Sequence, residues 1–194
     1  MSGAAGCYIL FIEMKIISVF GSSSPKAGSA DYEEARELGT ALARAGFAVC
    51  SGGYYGAMEA VSRGAQEAGG YAIGLTTPFY RLQPNAYLNE RIELPRWQDR
   101  LFALIEKGHG YVVLKGGTGT LLELSAVWEC LNKRALAARP CVAMEFWAPV
   151  LECVRLAEAE RSRWQEFGER LIRLAKTPAE AVEYLAQHAT INNG

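Results

Sequence analysis

Tyr111-Val112-Val113-Leu114-Lys115-Gly116-Gly117-Thr118-Gly119-Thr120-Leu121-Leu122-Glu123 runs from a β-branched stretch, through a glycine turn, into a long apolar helical pattern. A strand that empties into a Gly-rich turn and then a helix presents unpaired backbone N–H groups to an anion. The glycines at 116, 117 and 119 let the backbone come close to a phosphate, and Thr118 and Thr120 add hydroxyl donors. Glu123 falls one helical turn further on. A carboxylate so near a phosphate cradle gains from the helix dipole but repels the phosphate, so it is better explained by work on a sugar than on the anion.

Outward from this turn, strand-like and helix-like segments alternate. Lys15–Phe20 reads as a strand, and Gly21-Ser22-Ser23-Ser24-Pro25 reads as the loop after it. The spacing of Ala35, Leu38, Leu42 and Ala45 predicts an amphipathic helix over 30–45. A strand over 47–51 is followed by Gly52-Gly53-Tyr54-Tyr55-Gly56. A helix over 57–68 then carries small residues suited to close contact with a sheet, and a strand covers 71–76. Residues 77–94 look irregular, and a stretch of that length suggests a functional loop. A helix over 96–107 leads to the strand at 111–114; another strand is expected at 140–144, and 147–189 reads as helical. Repeated βα units predict an α/β fold with a doubly wound parallel sheet flanked by helices. Such sheets bind ligands beyond the carboxyl ends of their strands, so the loops at 21–25, 52–56 and 116–120 should crowd one edge.

The chain has 194 residues, half of them hydrophobic, enough for one full-sized core over 14–190, with 1–13 as a tail. Its net charge is −1 with both signs interspersed, which argues against nucleic acid or an anionic membrane as partner. Neither a secretory signal nor a membrane span is expected: the run Cys7 to Ile12 lacks a basic flank, and no apolar stretch approaches about 20 residues. The five scattered cysteines contain no CxxC, which reads as reduced, buried thiols at Cys50, Cys130 and Cys141 and a cytoplasmic setting.

On a helical wheel Thr120, Glu123, Leu124, Val127, Cys130 and Leu131 share one side, so Glu123 sits in an apolar stripe where an unused carboxylate is costly. It lies too deep in the helix to be a cap. Leu121, Leu122 and Trp128 make the same helix apolar nearly all round, which predicts burial on every side and a two-fold dimer. On the preceding helix Arg100 lies at the margin of the stripe Trp97, Leu101, Leu104, within reach of Glu123's pocket, whereas Arg96 and Asp99 point to solvent. There is no P-loop and no full GxGxxG after the first strand. His109 and His188 have no metal-ligand spacing, so no metal is expected, and His109 reads as a solvated turn residue.

These residues resemble the LONELY GUY family of nucleoside 5′-monophosphate phosphoribohydrolases. The family's PGG-x-GT-x-x-E is matched from Lys115 to Glu123 except that Lys115 replaces the proline. Arg100 matches the arginine of an upstream Arg-Lys pair, and Leu101 replaces the lysine. Gly21-Ser22-Ser23 is similar to the family's first-loop GSS, and Gly52, Gly53, Gly56 and Met58 are similar to its GGG-x-x-G-L-M. The resemblance implies a Rossmann-like fold, a homodimer, and hydrolysis of the N-glycosidic bond of a purine-type nucleoside monophosphate without a cofactor. It assigns catalysis to Arg100 and Glu123, phosphate to Gly116, Gly117, Thr118, Gly119 and Thr120, and the rest of the nucleotide to Gly21, Ser22, Ser23, Gly52, Gly53, Gly56 and Met58. The same superfamily includes molybdenum-cofactor carrier proteins, which need the cradle but not the chemistry.

Overall fold

The computed structural model describes residues 14–159 and 171–189; the expected tail at 1–13 lies outside them. Seven strands form one sheet among the described residues: β1 (Ile16–Phe20), β2 (Ala48–Ser51), β3 (Ala72–Thr76), β4 (Glu90–Glu93), β5 (Gly110–Val113), β6 (Cys141–Met144) and β7 (Ile172–Ala175). Their order is β4-β3-β2-β1-β5-β6-β7, and every neighbouring pair is parallel. Chain order reverses between β1 and β5, so the crevice of a doubly wound sheet opens above that pair.

Among the described residues six α-helices cover the faces: α1 (Ala30–Arg44), α2 (Ala57–Glu67), α3 (Trp97–Lys107), α4 (Thr118–Asn132), α5 (Ala148–Ala159) and α6 (Pro178–His188). Side chains alternate along each strand, which divides the core in two. Ile17, Val19, Val49, Val112 and Val142 pack against α1, α2 and α6; Phe20, Cys50, Leu75, Val113 and Ala143 pack against α3, α4 and the start of α5. Ser18, also facing α3, is buried because its hydroxyl donates to the Leu104 carbonyl at 2.6 Å.

Among the described residues the expected helices and inner strands are present, with ends displaced by a residue or two; 160–170, part of the stretch expected to be helical, lies outside them. Two strands are additional. Residues 77–94 hold a 3-10 turn at Pro78–Tyr80 and the edge strand β4, and the stretch read as wholly helical holds β7. His109 is not a solvated turn residue: its Nδ1 accepts from the Ile16 N–H at 3.0 Å, tying β1 to the entry of β5. Cys50 and Cys141 are buried, which pushes both thiols up to about 12, whereas Cys130 is half-buried. Arg139 closes the end of α3, donating to the carbonyls of Ile105, Glu106 and Gly108 at 3.3, 2.8 and 2.6 Å. A cation on those carbonyls also opposes the negative end of the helix dipole.

The small residues of α2 serve a second helix as well as the sheet. A methyl group added at Gly64 would collide with the Arg36 carbonyl of α1, and one at Gly39 with the Val61 carbonyl of α2. The two backbones therefore interlock, with Thr40 Oγ1 donating to the Gly64 carbonyl at 3.1 Å. Gly64→Ala should lower unfolding stability by about 1–3 kcal/mol, the usual cost of overpacking, although alanine favours a helix. Urea unfolding of the two proteins measures this.

Candidate active site

Three loops that follow β1, β2 and β5 meet at the carboxyl edge and enclose a cleft of about 340 Å³ with the turn after β3, α3 and the start of α4. Loop one supplies Gly21, Ser22, Ser23 and Ser24; the second supplies Tyr54 and leads to Met58; the third supplies Gly117, Thr118, Gly119 and Thr120. Arg100 and Glu123 complete the wall. A larger hollow of about 860 Å³ lies between the end of α4 and α6, but no carboxylate lines it among the described residues. The glycine turn, the serines, Arg100 and Glu123 converge in the smaller cleft.

The cleft is open where an anion would sit. Gly117 is the N-cap of α4 with no side-chain cap, and the first turn of that helix has no acidic residue. By contrast, Ser29 caps α1 and Thr177 caps α6, each with at least one acidic residue in the first turn. The bond from the Leu121 N–H to the Gly117 carbonyl, 2.9 Å, begins the α4 ladder, and the earlier amides are those a helix start leaves unpaired. Gly117 and Gly119 have no neighbour within 4 Å of an added methyl group.

Gly52, Gly53 and Gly56, expected to meet the nucleotide, lie beneath the cleft rather than on its wall. A side chain at Gly52 would strike the Arg100 guanidinium and the Met58 sulfur, so this glycine makes room for the arginine. Gly56 has φ +67, and an added methyl there would stand 2.5 Å from the Ser22 carbonyl, which itself accepts from the Ala57 N–H at 2.9 Å. It lets the second loop press on the first. Gly116 packs against buried Thr120 and borders a neighbouring cavity. Lys115, in the position of the family's proline, pairs with Asp31 of α1 at 2.9 Å.

Arg100 is 6% exposed and does not snorkel to solvent. Its Nε donates to the Leu75 carbonyl at 2.6 Å, and its guanidinium lies against the rings of Tyr54 and Tyr80. Tyr54, Tyr80 and Leu82 line the cleft without having been singled out from the sequence, and Ser24 joins Ser22 and Ser23 there. The only signal for Tyr80 and Leu82 was the length of their loop. Glu123 is half-buried on α4, and its carboxyl is pushed up to about 7; burial is the larger cause, and the Arg100 cation opposes it. A carboxyl near 7 beside a fixed cation can exchange a proton at neutral pH. Arg96 and Asp99 pair at the surface, as expected.

The family model described as "SLOG cluster4 family" matches residues 14–144. A pyrimidine/purine nucleotide 5′-monophosphate nucleosidase of Escherichia coli (strain K12) is 36% identical over 105 residues, covering 48% of this chain and 23% of that protein. The chain thus spans under a quarter of that relative's length. A cytokinin riboside 5′-monophosphate phosphoribohydrolase of Rhodococcoides fascians is 28% identical over 155 residues, covering 75% and 77%. The resemblance to phosphoribohydrolases is therefore borne out at modest identity. Among solved structures, the molybdenum cofactor binding protein of Rippkaea orientalis superposes with a TM-score of 0.69 at 20% identity over 91% of this chain and 98% of that one, which shows a shared fold. No helix among the described residues is long and apolar enough to cross a membrane.

Gly117→Asp separates anion binding from folding. The position has space and φ −97, so the new carboxylate fits and can cap α4 itself, a contact typically worth about 1 kcal/mol. The thermal midpoint should hold or rise while affinity for inorganic phosphate falls at least ten-fold, as measured by calorimetric titration.

Proposed function

The chain belongs to the SLOG cluster4 family, and on that footing we propose that it hydrolyses the N-glycosidic bond of a purine-type nucleoside 5′-monophosphate, AMP or a cytokinin-like nucleotide, to the free base and ribose 5-phosphate. The observation that carries this reading is the joint placement of Arg100 and Glu123 on one cleft with the uncapped start of α4. The activities for which the Escherichia coli and Rhodococcoides fascians relatives are named support the same class of reaction.

The substrate's phosphate sits on the amides and hydroxyls of residues 117–120, and its binding energy holds a group that does not react. Breaking the bond at C1′ builds positive charge on the ribose and sends the bonding electron pair to the base, which takes a proton from solvent. Glu123 in its ionised form stabilises the sugar cation and accepts a proton from the water that attacks C1′. The Arg100 guanidinium stabilises the electron pair gathering on the base without donating a proton.

Glu123→Gln should retain the fold and the affinity for AMP while lowering kcat about 10²-fold or more, with ribose 5-phosphate release as the readout. In the native protein kcat/KM should rise with pH and level off above about 7, because the ionised carboxylate does the work. A profile that falls through 7 would make Glu123 the acid instead. The carrier alternative predicts no ribose 5-phosphate at all, and a change only in affinity for the variant.

The same reading includes a two-fold dimer. The α4 helix is not buried on every side within one chain, since Leu122 is 40% exposed, and Phe102 on neighbouring α3 is 51% exposed. A second copy laid over this face would cover both. Light scattering at micromolar concentration should find a dimer, and Leu122→Glu should find a monomer.

A further inference from the structure

A nearly buried cation is costly unless a partner compensates it, and the usual partner is a carboxylate. None of the ion pairs among the described residues involves Arg100. Two rings take that place. The guanidinium carbon stands 5.6 Å from the centre of the Tyr54 ring and 5.5 Å from that of Tyr80; the two ring centres are 5.6 Å apart with their planes at 83°. Three near-equal separations make an almost equilateral triangle, so both rings stand on the same side of the cation and form a corner behind it. The electron-rich face of an aromatic ring attracts a cation without cancelling its charge, as a carboxylate would.

The two walls of the corner are fixed differently. Tyr54 is buried, and its hydroxyl donates to the Thr77 carbonyl at 2.7 Å while accepting from the Thr77 N–H at 2.8 Å. Tyr80 is 38% exposed and comes from the 3-10 turn after β3. Its hydroxyl accepts from Trp97 Nε1 on α3. Trp97 lies three residues before Arg100, one helical turn away on the same side of α3. One tyrosine thus meets the helix twice, hydroxyl to Trp97 and ring to Arg100, and faces the cleft as well.

We propose that Tyr80 is a positioning residue for Arg100, its ring and hydroxyl together holding the guanidinium at the cleft wall with its charge left free for the ligand. The consequence for turnover rests on the hydrolase reading; the placement of the charge does not. The charged or titratable side chains sharing the cleft with Glu123 are Arg100 from α3, Tyr54 from the loop after β2, and Tyr80 itself. Among the described residues Arg100 is the one cation acting on Glu123, and it holds that carboxyl lower than burial alone would. Releasing the guanidinium therefore raises the Glu123 midpoint.

The test uses the whole chain with ¹³C-labelled glutamate, following the Glu123 carboxyl by NMR from pH 5 to 9 with no ligand present. Tyr80→Leu and Tyr80→Met, two aliphatic shapes in case one fails to fold, should raise the midpoint, and Tyr80→Phe should restore most of the native value. The same variants assayed with AMP should lose about ten-fold in kcat with little change in KM when aliphatic, the size of a desolvated cation–π contact, and recover with Phe. An unmoved Glu123 midpoint in the aliphatic variants overturns the proposal. Absence of turnover in the native protein overturns the hydrolase reading instead, and the NMR titration still decides the role of Tyr80.

Discussion

A guanidinium buried without an acid against it has to be held by the backbone and by rings, and much of the carboxyl edge of this sheet is arranged around that need. The Leu75 carbonyl at the end of β3 takes the Nε–H, the missing side chain of Gly52 makes the space, and Tyr54 and Tyr80 close the corner. Gly52 and Tyr54 belong to the loop after β2, and Leu75 and Tyr80 to β3 and the turn after it, so these two segments and helix α3 are tied to one another through a single side chain. Arg139 seats the far end of α3 on its own terminal carbonyls, which fixes the helix that delivers the arginine.

The electrostatics of the cleft follow from two opposed demands. The uncapped start of α4 favours a negative guest, and Arg100 adds to that attraction. Glu123 on the same helix repels such a guest when ionised, and burial keeps it protonated to about 7. Attraction and repulsion thus meet at neutrality, where small changes in geometry alter the charge state of the site. An acid paired tightly to the arginine would be ionised well below neutrality and would have spent the cation.

The inner sheet was legible in the sequence because its strands are short, largely apolar runs that end at glycine, proline or polar residues, as suits buried parallel strands. The two edge strands were not. Glu90-Arg91-Ile92-Glu93 and Ile172-Arg173-Leu174-Ala175 are short and carry charge on faces that remain half open, which is how an edge is kept from pairing with another chain. The cleft was legible where it follows from local backbone: the glycine turn after β5, the serines after β1, and the carboxylate one turn into α4. It was illegible where it depends on contact between distant segments. Nothing in the spacing of Tyr54, Tyr80 and Arg100 says that two rings and a cation meet, and Gly52 reads equally well as a seat for a phosphate or for an arginine.

The position of Glu123 also ties protonation to folding and to ligand capture. Between its ordinary 4.5 and about 7, the folded chain keeps a proton there that the unfolded chain has released, so the fold weakens as pH rises through that window. A guest carrying a phosphate brings further negative charge to the same cleft and favours the protonated carboxyl more strongly. Near neutrality, capture of a nucleotide would then draw a proton from the buffer, and the heat of binding would change with the buffer's own ionisation enthalpy. In the complex the carboxyl would ionise at a higher pH than in the empty protein. The acidic limb of kcat would therefore lie above that of kcat/KM, and the gap between them would measure how closely the phosphate and the carboxylate are held.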